Sequence, residues 1–146
     1  MSAGVMDGDP FELQRFLDAQ EHVYDRARNE LAAGKKESHW MWFVFPQLAG
    51  LGSSPTANRY AVRSSREAGA YLDHATLGPR LLECTKAVLA VKNRSAAQIF
   101  GHPDDLKLCS SMTLFEQVAE DATLFGLALV RFYGGTRDAR TLSLLR

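Results

Sequence analysis

Apolar residues recur at intervals of three and four along most of this chain, and the strict alternation of a half-buried strand is almost absent. Leu13, Phe16, Leu17, Val23, Tyr24, Ala27 and Leu31 fall near the spacing of one helical face. Ahead of them Asp9 is a suitable cap, Pro10 suits a first helical position, and Glu12 completes a capping-box-like spacing. Gly34 offers a C-terminal cap. The pattern predicts one long amphipathic helix from Pro10 to Gly34, preceded by a disordered lead-in over residues 1–8.

The same signals repeat downstream. Ser54-Pro55 opens a short segment, and Ser64 with Glu67 repeats the capping-box spacing. Gly78-Pro79 opens a helix whose face carries Leu81, Leu82, Thr85, Val88 and Leu89. Ser95 caps "AAQIF", which Gly101 ends, and Pro103 with Asp104 and Asp105 starts a longer helix bearing Leu108, Met112, Phe115 and Val118. Asp121 caps a helix through Tyr133, and Gly134-Gly135 sets off a last short one. The predicted fold is all-α: one domain over residues 9–146, about seven to nine helices packed orthogonally, with no substantial sheet.

The stretch "SHWMWFVFPQLAGLG", Ser38 to Gly52, departs from this regularity. As a strand, Trp40 to Phe45 would be apolar on both faces and would need neighbours on both sides, yet no second β-branched run exists to pair with it. The better reading is a two-turn buried helix capped by Ser38 and ended at Pro46.

Charge narrows the function classes. Lys plus Arg equals Asp plus Glu at 17 each, so no overall positive field favours generic nucleic-acid binding. Cys84 and Cys109 lie in helical segments without CxxC spacing, which points to a reducing cytoplasm. The N-terminal "MSAGVMDGDP" has no apolar core of a signal peptide, and the run from Trp40 to Phe45 is far too short to span a bilayer, so a soluble protein is expected. No cofactor fingerprint is present, and no two pairs of His, Cys, Asp or Glu have the spacing of a metal site. Neither cofactor nor metal is expected.

At "SHWMWFVFPQLAGLGSSP", "DDLKLCSSMTLF", "YGG" and "RTLSLL" the chain resembles the bacterial family catalogued as domain of unknown function 1810, its mycobacterial member in particular. The resemblance runs from about Pro10 to Leu145. It implies a small, almost entirely helical domain and assigns no activity.

Several residues carry chemistry as well as packing. On a helix, His39, Trp42, Phe43 and Pro46 share one face, and Trp40, Phe43, Val44 and Gln47 an overlapping one. The phenylalanines read as core, whereas His39, Trp40 and Trp42 each hold a polar atom that suits a ligand as well as a carbonyl. The loop "AGLGSSP" has backbone N–H groups and serine hydroxyls for an anion, or is a tight turn with a serine cap. Arg59, Arg63 and Arg66 would form a basic stripe beside Tyr60 if one helix spans them, although Ser64 and Ser65 read better as caps. Lys107, Ser110, Ser111 and Leu114 make a small polar face, or an Asp104–Lys107 pair with serines for close packing. Cys109 is a nucleophile only beside an imidazole or another positive group, and a buried inert thiol is the simpler account. Asp138, Arg140 and Thr141 fit a helix start whose arginine folds back on a carboxylate.

Together these predict a groove where the helices around 38–46 and 104–115 meet. Trp40 or Trp42 stacks a planar group there, His39, Gln47 and Ser111 with Ser110 orient it, and Lys107 or an arginine such as Arg59 or Arg63 takes an anion. The expected ligand is small and anionic or planar, nucleotide-like. A catalytic role for His39 as general acid or base stays open, with no partner to tune it. The alternative is a protein-interaction module whose aromatics are core. The groove reading requires His39 and Lys107 to face one pocket.

Overall fold

A computed structural model describes residues 8–145. Apart from Gly8, the lead-in expected over residues 1–8 lies outside them. Ten helices lie in the described residues: α1 (Gln14–Gln20), α2 (Tyr24–Ala32), α3 (Met41–Val44), α4 (Pro55–Tyr60), α5 (Ser65–Asp73), α6 (Leu77–Ala90), α7 (Ala96–Phe100), α8 (Asp104–Val118), α9 (Thr123–Tyr133) and α10 (Ala139–Leu144). Apart from one isolated parallel bridge, Leu48 to Val62, no strand pairing occurs among them.

The count exceeds expectation because one apolar face serves two helices. Between α1 and α2 the backbone turns, with Val23 at φ −125° and its N–H on the Gln20 carbonyl at 3.1 Å. The face still continues, since Phe16, Tyr24, Ala27 and Leu31 enter the same core. Asp9 accepts the Leu13 N–H at 2.7 Å and the Gln14 N–H at 3.0 Å, but the helix begins at Gln14 with Leu13 in the cap position, so Pro10 is not its first residue, and Glu12 sits at φ +54° and forms no capping box. Ser95 and Gln98 form a reciprocal box at α7.

α8 is the hub, packed against α5, α7, α9 and α10. From Ser110 to Phe115 every residue is buried, so the helix is wrapped on all sides. Another fixed point is Arg15 of α1, which with its Glu67 partner is almost fully buried at 2.7 Å. The same guanidinium also donates to the carbonyls of Phe11, Arg59 and Ala61. It ties α1 to the segment joining α4 and α5.

That segment breaks the basic stripe. Ala61 turns extended at φ −65°, ψ 134°, and Ser64 caps α5 by accepting the Glu67 N–H at 3.1 Å. Arg59 therefore belongs to α4, Arg63 to the linker and Arg66 to α5.

Candidate ligand groove

The aromatic stretch makes one helical turn rather than two. Trp40 at φ −141° is the N-cap residue, and Phe45, at φ −122°, ψ 76° and kept out of the helical region by the following Pro46, ends the helix. Ser38 does not cap it. Its hydroxyl donates to Glu30 Oε2 at 2.6 Å, and the Trp40 indole N–H donates to Glu30 Oε1 at 2.8 Å. The Glu37 and Ser38 N–H groups donate to the same carboxylate at 2.8 and 3.0 Å. Burial alone would push the Glu30 carboxyl up, but the Ser38 hydroxyl and the other donors outweigh it and hold the group at about 2. Trp40 is thus core, anchored by a carboxylate ten residues upstream.

Trp42 faces the other way, into a groove of about 240 Å³. Three segments supply its polar lining: Trp42 and Gln47 from α3 and the loop after it, Lys107 and Ser110 from α8, and Asp138 and Arg140 from the start of α10. Leu51, Pro103 and Leu106 add apolar wall. A smaller void of about 10 Å³ adjoins it, sharing Trp42 and Gln47 and bounded by Tyr60. Gly52 belongs to both linings, and a Cβ there would meet the Ala57 Cβ at 2.8 Å, so the loop reaches this position only as glycine.

Lys107, in the lining, belongs to a charge cluster around Asp104, which lies outside it. Lys107 Nζ lies 3.9 Å from the Trp42 ring centroid and 3.0 Å from Asp104 Oδ1. Lys36 Nζ lies 2.9 Å from Asp104 Oδ2 and 5.2 Å from the Trp40 ring centroid. Burial acts to raise the Asp104 carboxyl, yet its hydrogen bonds to Lys36 and Lys107 hold it below its usual range. Two ammonium groups share one carboxylate, so this cluster carries a net positive charge.

Gln47 is the energetically exposed point of this arrangement. It is 8% accessible, and its Nε2 finds no acceptor among the described residues. A buried amide without a partner costs about 1–3 kcal/mol. Ser110 donates back to the Leu106 carbonyl at 3.3 Å, which leaves its oxygen lone pairs to accept. Arg140 does not fold back on Asp138: its Nη2 donates to the Gly50 carbonyl at 2.9 Å, while Asp138 Oδ2 accepts the Thr141 N–H at 3.0 Å to cap α10.

The remaining candidates stand apart. His39 is exposed, with no hydrogen-bond partner among the described residues, because the inward turn of Trp40 leaves its neighbour outside. It does not line the groove that Lys107 lines. Ser111 is fully buried and outside the groove lining, its hydroxyl without a partner among the described residues. Arg59 is exposed, and Tyr60 packs on Phe16 and Phe43. Arg63 lines a separate cavity with Ser64 and Leu144. Ser54 spends its hydroxyl on the Ala57 N–H at 3.1 Å as the cap of α4, which is the turn reading of the glycine loop. Burial and the nearby charge of Asp138 push the Cys109 thiol up, away from a reactive thiolate.

Lys36, Glu30 and Asp138 escape a reading by spacing. Asp138 carried a signal only as a helix cap, and nothing in the sequence around Lys36 distinguishes it from a solvated lysine. Among the described residues no group of three or more His, Cys, Asp or Glu is placed to hold a metal ion, and no helix is long and apolar enough to cross a membrane.

Fold and groove together define a small all-helical domain with a polar cleft walled by three non-adjacent segments. The chain belongs to the family described as protein of unknown function DUF1810, which matches residues 10–145. Its fold is that of the conserved hypothetical protein Rv1873 from Mycobacterium tuberculosis, known from a crystal structure: TM-score 0.93 and 58% sequence identity, covering 94% of this chain and 98% of that one. No curated protein matches the chain.

Proposed function

We propose that this domain binds a small anionic metabolite in the groove between Trp42 and Lys107. The observation that carries the reading is the buried Gln47 amide, a donor without an acceptor in the wall that also bears Lys107 and Arg140. A ligand oxygen offsets that cost, and the lysine pair around Asp104 favours a negative charge on it. Lys107 is already positioned by Trp42 and Asp104, so little side-chain freedom remains to be lost on binding.

Size and stacking favour a short carboxylate or sugar phosphate over a nucleotide. The groove's volume of about 240 Å³ lies under the roughly 300–1,000 Å³ usual for drug-sized ligands. One face of Trp42 is covered by the Lys107 ammonium, which removes it as a platform for a base. Two free cysteines fit a reducing, cytoplasmic setting.

A thermal-shift screen with short carboxylates, sugar phosphates and nucleotides tests this. A ligand at about 100 times its Kd adds about 2.7 kcal/mol to stability. The first two classes should stabilise the parent and His39→Ala, and Lys107→Ala and Gln47→Met should lose the effect. Gln47→Met itself should unfold no more easily than the parent, since it removes an unpaired buried amide. The rival reading, a docking surface for another protein, has Leu127 and Val130 of α9 in its favour, 51% and 59% exposed. No stabilisation by any compound would leave that reading in place of the groove.

A further inference from the structure

We infer that the ligand is a zwitterion, a free α-amino acid, whose carboxylate meets Gln47 and Lys107 and whose ammonium meets Asp138; this rests on the anion-binding reading above. The groove contains opposite charges that do not pair with each other. Asp138 and Arg140 both line it, and neither has an ion-pair partner among the described residues. Neighbouring charges behave differently: Asp104 holds Lys36 and Lys107, and Arg137, next to Asp138 in sequence, pairs with Glu116 through Nε at 2.9 Å.

Asp138 is half-buried with one oxygen committed. Oδ2 accepts from the N–H and hydroxyl of Thr141, whereas Oδ1 has no partner among the described residues. A purely anionic ligand leaves this free carboxylate oxygen without a partner in the groove. An ammonium on the ligand gives it a charge-assisted hydrogen bond. In the same lining the Gln47 amide and the Lys107 ammonium supply donors for a carboxylate. Leu51, Pro103 and Leu106 leave an apolar surface for the side chain, which inorganic phosphate would not use.

The test is a thermal-shift and calorimetric comparison on the full chain. Leucine, methionine and glutamate are each set beside the acid lacking the amino group: 4-methylpentanoate, 4-(methylthio)butanoate and glutarate, with inorganic phosphate as a further probe. At least one amino acid should bind about tenfold or more tightly than its des-amino partner, the equivalent of one charge-assisted contact. Asp138→Asn keeps a side-chain oxygen to cap α10 and should remove that preference, with the des-amino acid bound no more weakly than before. Equal binding of both members of every pair, or a preference untouched in Asp138→Asn, overturns the zwitterion while leaving the anion groove standing. No binding by any of these probes, phosphate included, overturns both.

Discussion

Trp40 and Trp42 are two residues apart and equivalent to any pattern analysis, yet they end in opposite roles. What separates them is Glu30, which takes the Trp40 indole N–H and leaves the Trp42 ring to the Lys107 ammonium. The same carboxylate makes stability depend on acid. Its folded value is lowered from 4.5 to about 2, so the stabilisation it supplies is complete above 4.5 and lost as pH falls toward about 2. Denaturant melts between pH 7 and pH 2 should show Glu30→Gln less stable than the parent at neutral pH. The difference should shrink across that acid window; a constant difference would remove Glu30 from the account. His39 looked as promising as either indole in the sequence, because a histidine in an apolar run has no pattern that says whether it points in or out.

At the scale of elements, periodicity located the helices and misjudged their ends. The face from Leu13 to Leu31 was legible, but the turn at Glu21–Val23 was not, because a break of three residues preserves the apolar stripe on both sides. Pro46 announced the end of α3, while its start depended on where Trp40 found a partner. The arginine series at 59, 63 and 66 had helical spacing without one helix spanning it, and the cap signal of Ser64 stood against it, while Ser65 is the first residue of α5 rather than a cap. The contact that holds this region, Arg15 with Glu67, joins residues 52 apart and leaves no local trace. Glu67→Gln strands a buried guanidinium and should cost about 3–5 kcal/mol in urea unfolding. A loss under about 1 kcal/mol would mean that the surrounding carbonyls alone satisfy Arg15.

For the molecule as a whole, the fold class follows from the near-absence of alternating stretches, and a 58% identical crystal structure has the same fold. The groove was legible in part: Trp42, Gln47, Lys107 and Ser110 were all candidates before their geometry was known, each through its polar atom in an apolar setting. Asp138 and Arg140 arrive from the start of the last helix, and only packing on α8 brings them to the same cleft. The direct measurement is a ¹⁵N–¹H correlation spectrum of the 146-residue chain titrated with the compounds that stabilise it. The Trp42 indole and Gln47 side-chain amide signals should move with occupancy, while the Trp40 indole, bound to Glu30, stays in place. Stabilising compounds that leave Trp42 and Gln47 unmoved would contradict the groove as the binding site.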